Sequence, residues 1–175
     1  LGERGLAWGR GLRAVCDLPG PCKQEGDRKA PAGFFALGPV FGDAAHQKYA
    51  LKMPFLAVTD DLECVDDPDS RHYNQFASSS QRDWKSAERM SEQEALYALG
   101  VFVQHNTDPV EPGKGSAIFL HIGEGTGTAG CTALEAQALR ALVAWLDAAQ
   151  HPCLVQLPLE AYSHCQPLWN LPPAL

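Results

Sequence analysis

Apolar positions along this chain fall in short runs separated by glycine, proline and polar residues. That is the pattern of buried strands joined by turns. After a turn-rich stretch, residues 1 to 33, punctuated by Glu25-Gly26-Asp27 and Pro31-Ala32-Gly33, the run Phe34-Phe35-Ala36-Leu37 predicts a short strand. Leu99 to Val103 and Ser116 to Ile122 are bounded by Gly, Pro and Asn and predict two more, and Cys153 to Leu157 predicts a last one. The period changes between Ala136 and Gln150, where Leu139, Leu142, Val143 and Leu146 recur at helical spacing. Two stretches show neither period. Asp60 to Trp84 is polar and carries Asp66-Asp67-Pro68 and Ser78-Ser79-Ser80, which predicts a long connection acting as a functional loop or lid. From about residue 158, Pro158, Pro167, Pro172 and Pro173 predict an irregular tail.

Composition narrows this picture. A chain of 175 residues, 45% hydrophobic and 20% charged, is expected to form one globular domain over residues 1–175 with a sizeable core. Sixteen glycines and 13 prolines favour strands and turns over a helical bundle, so the expected fold class is mainly β, an α+β domain with a few peripheral helices. The net charge of -7, with Lys and Arg dispersed, argues against nucleic acid as a partner. No apolar run approaches the roughly 18 residues that cross a bilayer, so no membrane span is expected. The six cysteines, at 16, 22, 64, 131, 153 and 165, contain no Cys-x-x-Cys pair. Cys16 with Cys22 and Cys153 with Cys165 are the sequence-local disulfide candidates, and buried reduced thiols are the alternative.

The densest chemistry lies between Ser116 and Leu139. A buried strand ends at His121, a glycine-rich loop spans 123 to 130, and Cys131 follows. Taken singly, a cysteine in an apolar context is most often an inert core residue, and a lone histidine is usually structural. Placed at the two ends of one glycine loop, they can act as nucleophile and general base, with the N–H groups around Gly130 and Cys131 receiving an oxyanion. Thr132-Ala133-Leu134-Glu135 fits a capping box, which would set Cys131 just before a helix N-terminus that favours a thiolate. The same loop supports a rival. Gly125-x-Gly127-x-x-Gly130 matches a dinucleotide fingerprint, with Glu160 as a candidate ribose-binding acid, although little chain follows to complete a doubly wound sheet. Gly113-Lys114-Gly115-Ser116 lacks the spacing of a phosphate loop. His121, Cys131, His164 and Cys165 are conceivable metal ligands without supporting spacing.

Gly115-Ser116-Ala117-Ile118-Phe119-Leu120-His121 followed by Thr128-Ala129-Gly130-Cys131 resembles the paired motifs of the L,D-transpeptidase catalytic domain, the cysteine-dependent YkuD-type family. Lys23-Gln24-Glu25-Gly26-Asp27, Pro31-Ala32-Gly33-Phe34-Phe35, Asp66-Asp67-Pro68 with Tyr73-Asn74, Trp84 through Met90, and Gly100-Val101 through Asn106 agree in order, so the likeness covers roughly residues 20 to 157. The resemblance implies an L,D-transpeptidase-like β-sandwich and an enzyme of the periplasm or cell envelope, whose secretion signal would lie outside this chain. It implies peptidoglycan stem peptides as partners, and a monomer with neither cofactor nor metal is expected. Cys131 would form a thioester at the diamino acid, releasing D-alanine, and His121 would move the protons. Transfer to an amine of another stem cross-links; transfer to water gives an L,D-carboxypeptidase or amidase. Gly130, Ala129 and Thr128 would form the motif around the oxyanion, and Tyr73, Trp84, Glu88 and Ser116 would contact substrate. Ala129 and Ala133 depart from the family, which often carries His and a basic or amide residue there. Carboxylate recognition, or turnover itself in a wall-binding module, is where those departures would tell.

Overall fold

The computed structural model describes residues 1–13, 19–50, 52–123, 125 and 127–173. Its organising element is one long strand, β2 (Ala30–Gly42), numbered after the short β1 (Leu6–Trp8) beside it. The Phe34-Phe35-Ala36-Leu37 run is only its middle. Pairing extends it in both directions: β1 lies parallel to residues 30–32, and β3 (Phe55–Ala57) lies parallel to residues 40–42. The register shifts between Leu37 and Val40, where Gly38-Pro39 interrupts the ladder because proline has no N–H to donate.

Between β3 and the next core strand, the chain builds a separate three-stranded antiparallel sheet from β4 (Leu62–Val65), β5 (Phe76–Ser78) and β6 (Ala87–Arg89), in the order β5-β4-β6. The polar stretch 60–84 is therefore not a structureless lid. Its strands are only three or four residues long, too short to register as runs, and their inward residues Cys64, Val65 and Ala77 are buried. A one-turn helix, α1 (Glu94–Tyr97), then leads into β7 (Leu99–Val103), which pairs antiparallel with β2. The remaining elements are β8 (Phe119–Ile122), β9 (Thr132–Leu134), α2 (Ala136–Trp145), β10 (Cys153–Gln156) and α3 (Leu159–Trp169). The larger sheet runs β1-β2-β7-β8-β9, with β3 and β10 also on β2.

Strand alternation sends apolar side chains to both faces of this sheet. On one face Val101, Val103, Ile118 and Leu120 meet Leu139, Val143 and Leu146 from α2 and its end. On the other, Phe41, Phe102 and Phe119 meet Cys64, Phe76, Met90 and Tyr97 from the small sheet and the segment before β7. Phe41 and Phe119 are fully buried, with ring centroids 5.0 Å apart and near perpendicular; burying each such side chain stabilises by roughly 1.5–3 kcal/mol. The domain is thus mixed α/β and dominated by strands in curled sheets, with few helices.

Three expectations need correction. Helix α2 ends at Trp145, and residues 148–150 form a separate 3-10 turn capped by the Asp147 side chain, which accepts from the Ala149 N–H. The tail beyond residue 158 is helical. Pro158 sits outside α3 at its N-cap, and Pro167 lies inside the helix in its last turn, where it removes one N–H bond and the helix ends two residues later. Cys165, Trp169 and Leu171 pack that helix against Phe34, Val155 and Leu157. Finally, Cys22 and Cys153 carry free thiols, so neither sequence-local disulfide forms, while Cys165 is disulfide-bonded. Cys16, the other half of one expected pair, lies outside the described residues.

Candidate active site

His121 occupies the third position of β8, on the same side as Phe119 and opposite Gly100 of β7. Its ring meets Tyr97 edge to face at 5.8 Å, and it is buried. Nδ1 lies 2.7 Å from the carbonyl oxygen of Ile122; a carbonyl only accepts, so Nδ1 carries the proton and Nε2 is left as the acceptor. Burial pushes its pKa below the ordinary imidazole value, with the Ile122 bond opposing.

Cys131 lies at the mouth of β9, which pairs parallel with β8 in the register Leu120 with Thr132 and His121 with Ala133. The expected helix start is a correction: Thr132 to Leu134 extend the sheet, and α2 begins at Ala136 with no side-chain cap. The open edge of β8 claims those residues, so no helix dipole acts directly on the sulfur. Instead the sulfur is turned inward. It accepts from the Phe119 N–H at 3.3 Å and donates to the Ala117 carbonyl at 3.4 Å. Burial pushes the thiol up to about 12, the Phe119 N–H and the Lys23 charge opposing and Glu88 adding to the rise. Among the described residues no hydrogen bond joins Cys131 to His121; both line one cleft of about 480 Å³.

The motif residues hold this corner in shape. Thr128 donates its hydroxyl to the Cys131 carbonyl at 2.6 Å and accepts from the Gly130 N–H at 3.3 Å. Gly130 has φ +152, and a Cβ there would approach the Lys29 carbonyl to 3.2 Å, so the position requires glycine. Ala129 lines the cleft with them. The glycine loop opens onto a strand and not a helix. No helix N-terminus therefore stands behind it to face a pyrophosphate, and Glu160 falls in the first turn of α3. Among the described residues no three His, Cys, Asp or Glu side chains converge as a metal site.

The expected substrate contacts divide. Ser116 and Glu88 line the cleft. Glu88, on β6, accepts from the Tyr97 hydroxyl at 3.3 Å, and burial and the neighbouring Asp66 charge push its carboxyl pKa up. Tyr73 stands behind the cleft: its hydroxyl donates to Glu25 Oε2 at 2.5 Å, and Ser116 donates to the same oxygen at 2.8 Å. Burial, followed by the Glu25 carboxylate, pushes the Tyr73 pKa up, which keeps it a donor. Trp84 is not brought to the site. It packs with Val65 and Ala77 and donates its indole N–H to Glu63 at 2.6 Å, which makes it a part of the small sheet's core.

Several groups at the site carried no assigned role in the sequence reading. Lys23, Glu25, Asp66 and Tyr97 line the cleft, and Asn74 supports it from behind. Asn74, with φ +61, donates to the carbonyls of His105 and Asn106, both at 2.8 Å, and accepts from the Ala117 N–H at 3.1 Å. It thereby holds Ala117, the residue whose carbonyl receives the Cys131 thiol. The Lys23-to-Asp27 and Tyr73-Asn74 motifs pointed to these segments, but a residue's partner across more than forty positions leaves no local signal.

No family model, curated protein or solved structure matches this chain.

Proposed function

We propose that this chain is a cysteine acyltransferase with an L,D-transpeptidase-like β-sandwich, acting on peptidoglycan stem peptides in the periplasm or cell envelope. The observation that carries the reading is the presence of Cys131 and His121 on one cleft, with the imidazole proton fixed on Nδ1 by Ile122 so that Nε2 can accept. Two sheets packed around Phe41, Phe102 and Phe119 support the sandwich, and the collinear motifs supply the substrate class.

Rotation of the Cys131 side chain away from Ala117 brings the thiol to the cleft, where its proton passes to His121 Nε2 as sulfur attacks the peptide carbonyl. The carbonyl oxygen takes the negative charge. The Cys131 N–H is the candidate donor to it, since Gly130 spends its own N–H on Thr128. Collapse breaks the C–N bond, and the imidazolium returns the proton to the departing D-alanine amine, leaving a thioester. An amine from a second stem then loses a proton to His121 and displaces sulfur, forming the cross-link. Water in that role gives the carboxypeptidase.

Incubation with tetrapeptide muropeptides and mass spectrometry test the reading. The expected result is an acyl adduct on Cys131 with release of D-alanine, followed by cross-linked dimers or tripeptides, and complete loss in a folded Cys131→Ala variant. Turnover unchanged by that substitution would overturn it.

A further inference from the structure

One residue of the cleft has chemistry that the acyl-transfer steps leave unused. Lys23 is 4% exposed, yet it lines the cleft. Its ammonium donates to the Gln24 carbonyl at 2.8 Å and to Asp27 Oδ1 at 2.7 Å, which uses two of its donors and leaves the third without a partner among the described residues. A buried ammonium is costly unless it is hydrogen-bonded, so an unspent donor facing a cleft is a site for an acceptor. The surroundings are shaped for this side chain. A Cβ at Gly115 would crowd the Lys23 stem, at 3.1 Å from Cγ and 3.2 Å from Cε, and a Cβ at Gly130 would lie 3.9 Å from Nζ. His105, packed beside the same path, is kept neutral by burial, which lowers its pKa to about 4, so no second cation competes.

The kind of acceptor is set by charge. Among the described cleft residues Lys23 is the sole cation, whereas Glu25, Asp66 and Glu88 are carboxylates. A dianion such as phosphate would meet those three carboxylates, while a monoanion held at the Lys23 end would not carry a second charge toward them. Its place is next to Gly130, hence beside the acyl carbon that Cys131 attacks. We propose that Lys23 is the specificity-determining residue that binds the carboxylate of a peptide whose scissile carbonyl lies over Cys131. This assignment rests on the thioester chemistry proposed above. It supplies from a distant segment a charged N–H donor, its charge paired with Asp27, where Ala129 and Ala133 offer none.

The test compares two synthetic stem tetrapeptides, identical except that one ends in a carboxylate and the other in a carboxamide. Single-turnover thioester formation at Cys131 is followed by intact-protein mass spectrometry in the wild type, Lys23→Met and Lys23→Arg. A charge-assisted hydrogen bond predicts that the wild type prefers the acid by about ten- to hundredfold. Lys23→Met is expected to lose that preference by slowing on the acid alone, and Lys23→Arg to keep part of it. Removing a buried ion pair can unfold the chain, so the wild-type ratio and the Arg variant carry the test independently of Lys23→Met. Equal rates on the two peptides in the wild type, or a preference that persists in folded Lys23→Met, overturns the assignment while leaving the thioester reading intact. No adduct from either peptide in the wild type overturns both.

Discussion

At the scale of single residues, the same burial acts in opposite senses on the two groups proposed to react. It pushes the Cys131 thiol up to about 12 and the His121 imidazole down, so near neutral pH both are uncharged. For the proposed chemistry the pair is then a thiol with a neutral base, and the proton would move during attack. Two pH dependences follow. Acylation needs neutral His121 and is expected to rise as pH climbs through an imidazole pKa below 6.5. Alkylation of the free enzyme by iodoacetamide, which needs thiolate, is expected to be slow at neutral pH and to keep rising through pH values above about 9. Fast alkylation that is flat from about pH 6 upward would identify a thiolate–imidazolium pair instead. Asn74 provides a second test at this scale. Asn74→Ala removes three hydrogen bonds and leaves two carbonyls and the Ala117 N–H without partners. A loss of about 2–3 kcal/mol in denaturant unfolding is expected, together with slower acylation of the folded fraction, because the carbonyl that seats the thiol is no longer fixed.

At the scale of elements, β8 carries His121, the proposed base, and orders what flanks it. Gly100 of β7 faces His121, and the space a side chain would fill there is taken by the Phe41 ring, whose Cζ would lie 2.3 Å from an added Cβ. Gly100→Val therefore cannot be accommodated without moving Phe41 out of the cluster with Phe119. A destabilisation of about 3 kcal/mol or more is expected, read as a lower denaturation midpoint. Elements of this kind were legible where burial on both faces leaves an almost unbroken apolar run, as in Leu99 to Val103 and Phe119 to Ile122, which only His121 interrupts. They were illegible where pairing alone creates the strand. Thr132-Ala133-Leu134 reads locally as a helix start and becomes β9 only because β8 offers an open edge. The strands β4 to β6 were hidden in polar sequence by their brevity, and α3 was hidden by prolines that lie at its N-cap and near its end. The site divides in the same way. Cys131, His121 and their glycine corner stand within eleven positions and could be read together, whereas Lys23 and Glu88 reach the cleft, and Asn74 the backbone behind it, only through folding and had no local mark of their partners.

At the scale of the molecule, the larger sheet separates two apolar clusters with different duties. The one beneath α2, with Leu139, Val143 and Leu146 against Val101 and Leu120, contains neither Cys131 nor His121. The other, around Phe41, Phe102 and Phe119, includes Cys131 among its packed neighbours, and Phe119 itself donates its N–H to the sulfur. A defect in the first should cost stability alone, and a defect in the second should cost stability and chemistry together. Leu139→Ala, at a fully buried position, is expected to lose about 2–5 kcal/mol and to leave the acylation rate of the folded fraction unchanged. Phe119→Leu is expected to lose less stability, about 1–3 kcal/mol, since it retains most of the apolar volume, yet to slow acylation by loosening the wall on which Cys131 rests. Urea titrations paired with single-turnover acylation, both under conditions where each variant is folded, separate the two effects. Equal slowing in both variants would mean that the sheet transmits packing defects from α2 to the cleft, and that the two clusters act as one core.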